Sequence, residues 1–153
     1  MNSVEEIERS EGIQLPDCYK SFICSIADYA ERYFKEDDDE DNYPGRPWLL
    51  WGLDRLSETL DMKGVGSEPM FKALALYTKV FNEFTSEQEV YSPQGSISIE
   101  RVAKGFVIGE ENGDYLYLDP SDSFSVWIYY HDGGDVKRLS ASYEAWLSES
   151  EPA

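Results

Sequence analysis

Ile108-Gly109-Glu110-Glu111-Asn112-Gly113-Asp114-Tyr115-Leu116-Tyr117-Leu118-Asp119 sets two alternating runs on either side of an Asn-Gly pair. That pair is the strongest short signal for a two-residue hairpin, because both turn positions need positive φ. With Asn112 and Gly113 as the loop, Gly109 is expected opposite Leu116 and Val107 opposite Leu118. Matching apolar faces across the following turn then sets Leu116 against Val126 and Leu118 against Phe124. One face of the resulting sheet reads Val107, Gly109, Leu116, Leu118, Phe124, Val126 and Ile128, a core face. The other reads Phe106, Ile108, Tyr115, Tyr117, Trp127 and Tyr129. This second face is too aromatic for plain solvent exposure and is either covered by a helix or a binding surface. On the second reading Tyr115, Tyr117, Trp127 and Tyr129 are candidate partner contacts.

Outward from the hairpin, the period of two starts at Ile97, and most helical signals lie before it. Ser3-Val4-Glu5-Glu6 has the form of a capping box opening a short helix that Gly12 stops. Pro16 suits the first turn of a second helix, where Tyr19, Phe22, Ile23 and Ile26 fall on one face at i, i+3, i+4 and i+7. Trp48–Trp51 reads as a short buried strand, followed by a helix over about 54–62 that Lys63-Gly64-Val65-Gly66 ends. A further helix over 68–84 carries Phe71, Leu74, Ala75, Thr78 and Phe81 on one side. Ser92-Pro93-Gln94-Gly95 is a turn, 124–131 and 136–139 are strands, and a last helix capped by Ser140 or Ser142 carries Tyr143, Trp146 and Leu147. The pattern predicts an α+β fold. An antiparallel sheet in the C-terminal half packs with helices mainly from the N-terminal half, plus a C-terminal helix. One domain over 1–153 is expected, with 36–47 an exposed acidic loop and 149–153 a tail; at this length about two-thirds of the unfolded surface is buried.

In this order, Leu15-Pro16-Asp17-Cys18-Tyr19-Lys20-Ser21-Phe22 and the Ile108–Asp119 block resemble the SUKH superfamily, also called the Smi/Knr family. The resemblance runs loosely from Ile7 to Leu147. It implies a small α+β domain of a kind that often binds and neutralises a toxin, frequently a nuclease or a nucleic-acid deaminase. Ala27–Phe34 and the acidic run after it depart from the Gly-containing turn such domains commonly place there, so partner specificity is expected in that stretch.

Charge bears on the partner independently. The chain holds 31 acidic and 13 basic residues, a net −18, and removing the run Glu36-Asp37-Asp38-Asp39-Glu40-Asp41 still leaves −12. Such a field repels phosphate backbones and anionic membranes, which disfavours direct nucleic-acid or membrane binding, and it speeds encounter with a basic protein. Asp37, Asp38 and Asp39 are therefore also candidate contacts for a basic toxin domain.

Catalytic signals are weak. His131, beside Asp132 and near Asp135, has the makings of a general base, but no serine or cysteine can be placed next to it, so a turn histidine is expected. An EF-hand loop counted from Asp37 would need Gly and Glu where Asn42 and Trp48 stand. Gly64-Val65-Gly66-Ser67 lacks the Lys-Ser/Thr ending of a phosphate loop. No catalytic residue, cofactor or metal is expected. Cys18 and Cys24, about 120° apart on one helix with a rise of ~9 Å, read as free thiols. With a charged start and no long apolar run, the expectation is a cytoplasmic, non-catalytic binding protein. The alternatives are a general interaction or scaffold module without a toxin partner, and an enzyme using His131.

Overall fold

A computed structural model describes residues 3–36 and 44–152. The chain runs α1 (Val4–Glu11), α2 (Asp17–Ser25), β1 (Tyr29–Phe34), β2 (Arg46–Trp51), α3 (Leu53–Ser57), β3 (Thr59–Met62), β4 (Gly66–Pro69) and α4 (Ala73–Phe84). It continues through β5 (Glu89–Val90), β6 (Ile97–Ser98), α5 (Ile99–Ala103), β7 (Phe106–Glu111), β8 (Asp114–Asp119), β9 (Ser125–Tyr129), β10 (Val136–Ser140), α6 (Tyr143–Glu149) and β11 (Glu151–Pro152). The fold is α+β. Seven strands form one antiparallel sheet in the order β10-β9-β8-β7-β2-β1-β11.

Local chemistry sets the elements where the sequence places them. The Ser3 hydroxyl accepts the Glu6 amide, and Gly12 ends α1 in the left-handed region at φ 65°. Ser142, not Ser140, caps α6 by accepting the Ala145 amide. Asn112 and Gly113 take φ of 49° and 90°, the double positive φ that closes β7 onto β8.

Register follows the expectation at the turn and departs from it further out. Gly109 lies opposite Leu116, but a bulge at Ile108 moves the next pairs to Val107–Tyr117 and Phe106–Leu118. Leu116 pairs with Ile128 and Leu118 with Val126, two residues along from the expected partners and on the same face. The cause is the return loop. Pro120–Asp122 forms a 3-10 turn, and Ser123 and Phe124 sit at φ 51° and 59°, so β9 starts at Ser125 rather than Phe124.

Both faces of the sheet are covered, which resolves the aromatic face in favour of structure. Over Tyr115, Tyr117, Trp127 and Tyr129, α4 places Tyr77 5.3 Å from the Tyr115 ring and 6.1 Å from Tyr129, and α5 lays Arg101 over Trp127. On the opposite face, Trp146 of α6 stacks on Phe34 and Tyr19 of α2 meets Phe106 and Tyr143. Tyr19 and Ile23 are buried, whereas Phe22 is half-buried against Tyr143 and Ile26 lies past the helix end.

Other differences are local. The helix expected to run to Met62 stops at Ser57, because Gly64 at φ 82° makes 63–65 a hairpin turn joining β3 to β4. The strand pattern after Ile97 hides α5, whose Ser98 cap accepts the Arg101 amide. Arg46 and Pro47, placed in the exposed loop by sequence, belong to β2. The expected tail contributes β11, which pairs with β1 at Arg32 and Tyr33.

Trp127→Ala removes a side chain that is 3% exposed and whose indole N–H donates to Ser125 Oγ at 2.7 Å. It is expected to lower unfolding stability by about 3–5 kcal/mol in urea denaturation. A loss under about 1 kcal/mol would mean this face is not core.

Candidate protein-binding site

Of the candidate contacts, Tyr115, Tyr117, Trp127 and Tyr129 are all under 8% exposed. The expectation that they form a partner surface is corrected by their cover: α4 and α5 occupy the space a partner would need. Burial pushes the Tyr129 hydroxyl up to about 12 and those of Tyr115 and Tyr117 higher still, as for phenols removed from water. Asp37, Asp38 and Asp39 lie outside the described residues, but both ends of their segment are described and share one charged centre.

That centre is Arg46, at the start of β2, with its side chain 20% exposed. Its Nη1 donates to Glu36 at 3.1 Å, its Nη2 to Asp114 at 2.9 Å and its Nε to Glu111, while its guanidinium lies 4.8 Å from the Trp48 ring centroid. Glu36 also accepts the Tyr130 hydroxyl at 3.1 Å. The ion pair Glu36–Arg46 closes the base of the acidic segment, directly beside the Phe34–Arg46 strand pair. Gly45 fits there because a Cβ would collide with the Phe34 carbonyl. One cation thus fastens the roots of the acidic run to the tip of the β7–β8 hairpin.

His131 belongs to this centre rather than to Asp132 or Asp135. Its backbone N–H donates to Asp114 Oδ1 at 2.9 Å and its Nδ1 lies 2.6 Å from the same oxygen. Among the described residues no Ser hydroxyl or Cys thiol is bonded to the ring. Burial acts to raise the Asp114 carboxyl, but the His131 amide and ring and the Arg46 guanidinium outweigh it and hold Asp114 below the usual carboxylate range.

The aspartate that ends the second sequence block is fixed in the same manner. Asp119, 2% exposed, binds Arg101 Nε at 2.8 Å and Nη2 at 2.7 Å, and its other oxygen accepts the Ser121 amide. It ties α5 across the sheet rather than offering an open functional group.

A family model described as SMI1 / KNR4 family (SUKH-1) matches residues 2–149. The chain belongs to that family. No curated protein and no solved structure matches it significantly. The two blocks that carry the SUKH resemblance are thus a buried helix face and a buried hairpin whose closing aspartate is ion-paired. Among the described residues, this SUKH-1 chain exposes many acidic side chains and three large hydrophobic residues, Tyr29 at 62%, Phe84 at 83% and Tyr91 at 62%. Sequence reading passed over all three, since nothing in local pattern separates an outward aromatic from a core one. Among the described residues no helix is long and apolar enough to cross a membrane.

Because the folded Asp114 carboxyl sits below its unfolded value, its stabilising contribution is complete at neutral pH and is lost as pH falls below about 4. Urea unfolding between pH 7 and pH 3 is expected to show a smaller acid-dependent loss in Asp114→Asn than in the parent. Arg46→Met, which strands three carboxylates, is expected to destabilise by about 3 kcal/mol at pH 7 and by less at pH 3. Equal effects at the two pH values would contradict the ionic account.

Proposed function

We propose that this SUKH-1 protein is a non-catalytic immunity-type binding protein that acts inside the cell. It neutralises a basic toxin effector, of the nuclease or nucleic-acid deaminase kind, by covering its basic surface. The observation that carries this reading is the family match over 2–149 in a chain with net charge −18. A toxin that grips phosphate backbones must present Lys and Arg, and an acidic competitor with a firm scaffold occupies the same groups.

Two features of the chain support the mechanism. The acidic run is rooted through Glu36 and Arg46 in a sheet whose interior is closely packed with aromatic rings, so little ordering is needed at its base on binding. Outward aromatics occur beside acidic side chains, as with Phe84 next to Glu83 and Tyr29 next to Asp28. Inhibition by this route is steric and electrostatic occlusion, with no covalent step.

Co-expression with the product of a toxin gene adjacent to its own is the direct test, and restored growth is the expected result. In surface-plasmon kinetics with that toxin, raising salt from low to physiological is expected to slow association steeply and change dissociation less, because a Debye length of about 10 Å at 0.1 M screens steering. Changing Asp37, Asp38 and Asp39 to Asn together is expected to lower the on-rate. Failure to rescue growth, or association indifferent to salt, would contradict the reading.

A further inference from the structure

At the opposite end of the β1–β2 hairpin from the acidic run, the sheet opens into a cleft of about 250 Å³. Strand pairing puts Tyr29 opposite Trp51 and Glu31 opposite Leu49, so these four share a sheet face. Trp51 and Leu49 line the cleft together with the exposed Tyr29, and Asp28 and Asp54 stand on it from the two flanking segments. Its geometry is fixed. The Gly52 amide donates to the Asp28 carbonyl at 2.7 Å, and a Cβ on Gly52 would strike that carbonyl at 2.8 Å, so the loop before β1 is clamped to the start of α3.

The chemistry inside the cleft is already that of a guanidinium. Arg55 lies over the Trp51 ring with its Cζ 5.6 Å from the centroid, and its nitrogens reach Glu58 at 2.5 Å and Glu110 at 3.8 Å. Asp28 and Asp54 are both exposed, and their carboxylates have no ion pair or hydrogen bond with the described residues. Trp51, 1% exposed, leaves its indole N–H without an acceptor. The outer edge of β1 adds a further opening. β11 pairs only with Arg32 and Tyr33, so among the described residues no strand lies beside the backbone from Tyr29 to Glu31 on that side.

We propose that this cleft receives an arginine side chain of the basic protein partner. The guanidinium lies on the Tyr29 ring between the Asp28 and Asp54 carboxylates, and the partner backbone runs in extended form along the free edge of β1. This inference rests on the proposed function for the partner being a basic protein, and it names where one of that partner's charges is read. Arginine suits the site better than lysine, because a flat guanidinium stacks on a phenol ring and bonds carboxylates through a planar fork. Extended docking on a sheet edge supplies backbone hydrogen bonds that a free amino acid lacks.

The test is a titration of the full-length protein, followed by amide chemical shifts in NMR. The probes are N-acetyl-arginine amide, N-acetyl-lysine amide and a blocked pentapeptide with arginine at its centre and alanine elsewhere. Saturable shifts centred on Tyr29, Gly52 and Asp54 are expected, tightest for the pentapeptide and weaker for lysine than for arginine. Tyr29→Ala, and separately the double change Asp28→Asn with Asp54→Asn, are each expected to weaken pentapeptide binding about tenfold or more. Glu87→Gln, at an exposed position outside the cleft lining, is expected to leave it unchanged. Tyr29, Asp28 and Asp54 are exposed, and circular dichroism of each variant checks that it folds. Shifts spread over the acidic surface, or unaltered by the cleft variants, would overturn the proposal. Single-residue arginine binding as tightly as the pentapeptide would show a small-molecule site and overturn the protein side-chain assignment. The titration needs no toxin, so its failure is separate from a failure of growth rescue, which would strike the proposed function itself.

Discussion

Strand β8 begins and ends in an aspartate, and each of these is held by an arginine from a distant part of the chain. Asp114 meets Arg46 and Asp119 meets Arg101. All six residues of β8 are buried. A strand in that position has apolar cover on both faces, and its charged ends would be costly without partners. The two arginines satisfy that requirement and also fasten neighbouring structure. Arg46 draws β2 and the root of the acidic segment onto one end of the sheet, and Arg101 holds α5 over the other. Removing either one would strand an aspartate at the end of a strand buried along its whole length.

This arrangement separates scaffold from surface. The aromatic rings fill the two layers between sheet and helices, where Tyr115 donates to the Tyr77 hydroxyl at 3.3 Å and Trp127 donates to Ser125. They give rigidity and direct little outward. Charge lies almost wholly outside, and carboxylates predominate in it. A binding protein built this way carries its recognition on loops, edges and helix ends, and its interior chiefly keeps those parts from moving. The cleft beside Tyr29 and the closed base of the acidic run sit at the two ends of one hairpin, so a basic partner could span both.

The sequence revealed what short-range chemistry decides. The Asn112-Gly113 turn, the caps at Ser3 and Ser142, the stop at Gly12 and the alternating faces of β8 and β9 could all be read from neighbours within a few residues. Burial of the aromatic face could not, because alternating Tyr and Leu look the same whether a helix or solvent lies above, and the deciding ring, Tyr77, is 38 positions from its partner Tyr115. Strand β1 escaped notice because Tyr-Ala-Glu-Arg-Tyr-Phe is a half-exposed run with no clean period. The Arg46 centre joins positions 36, 46, 111, 114 and 131, and no local spacing connects them. The hairpin of β3 and β4 was hidden because Gly64 serves equally as a helix stop and as a turn residue.

The central claim is that the aromatic interior stays shut while the acidic rim makes the contacts. Hydrogen–deuterium exchange of the protein, free and in complex with the basic toxin proposed as its partner, tests this most directly. The account predicts that β8 and β9 amides are the slowest to exchange in the free protein and do not change on binding, with new protection confined to rim segments such as 28–31. Altered exchange in β8 and β9 together with loosening of α4 would mean that the helix lifts away and the aromatic face is itself the interface, contradicting the account.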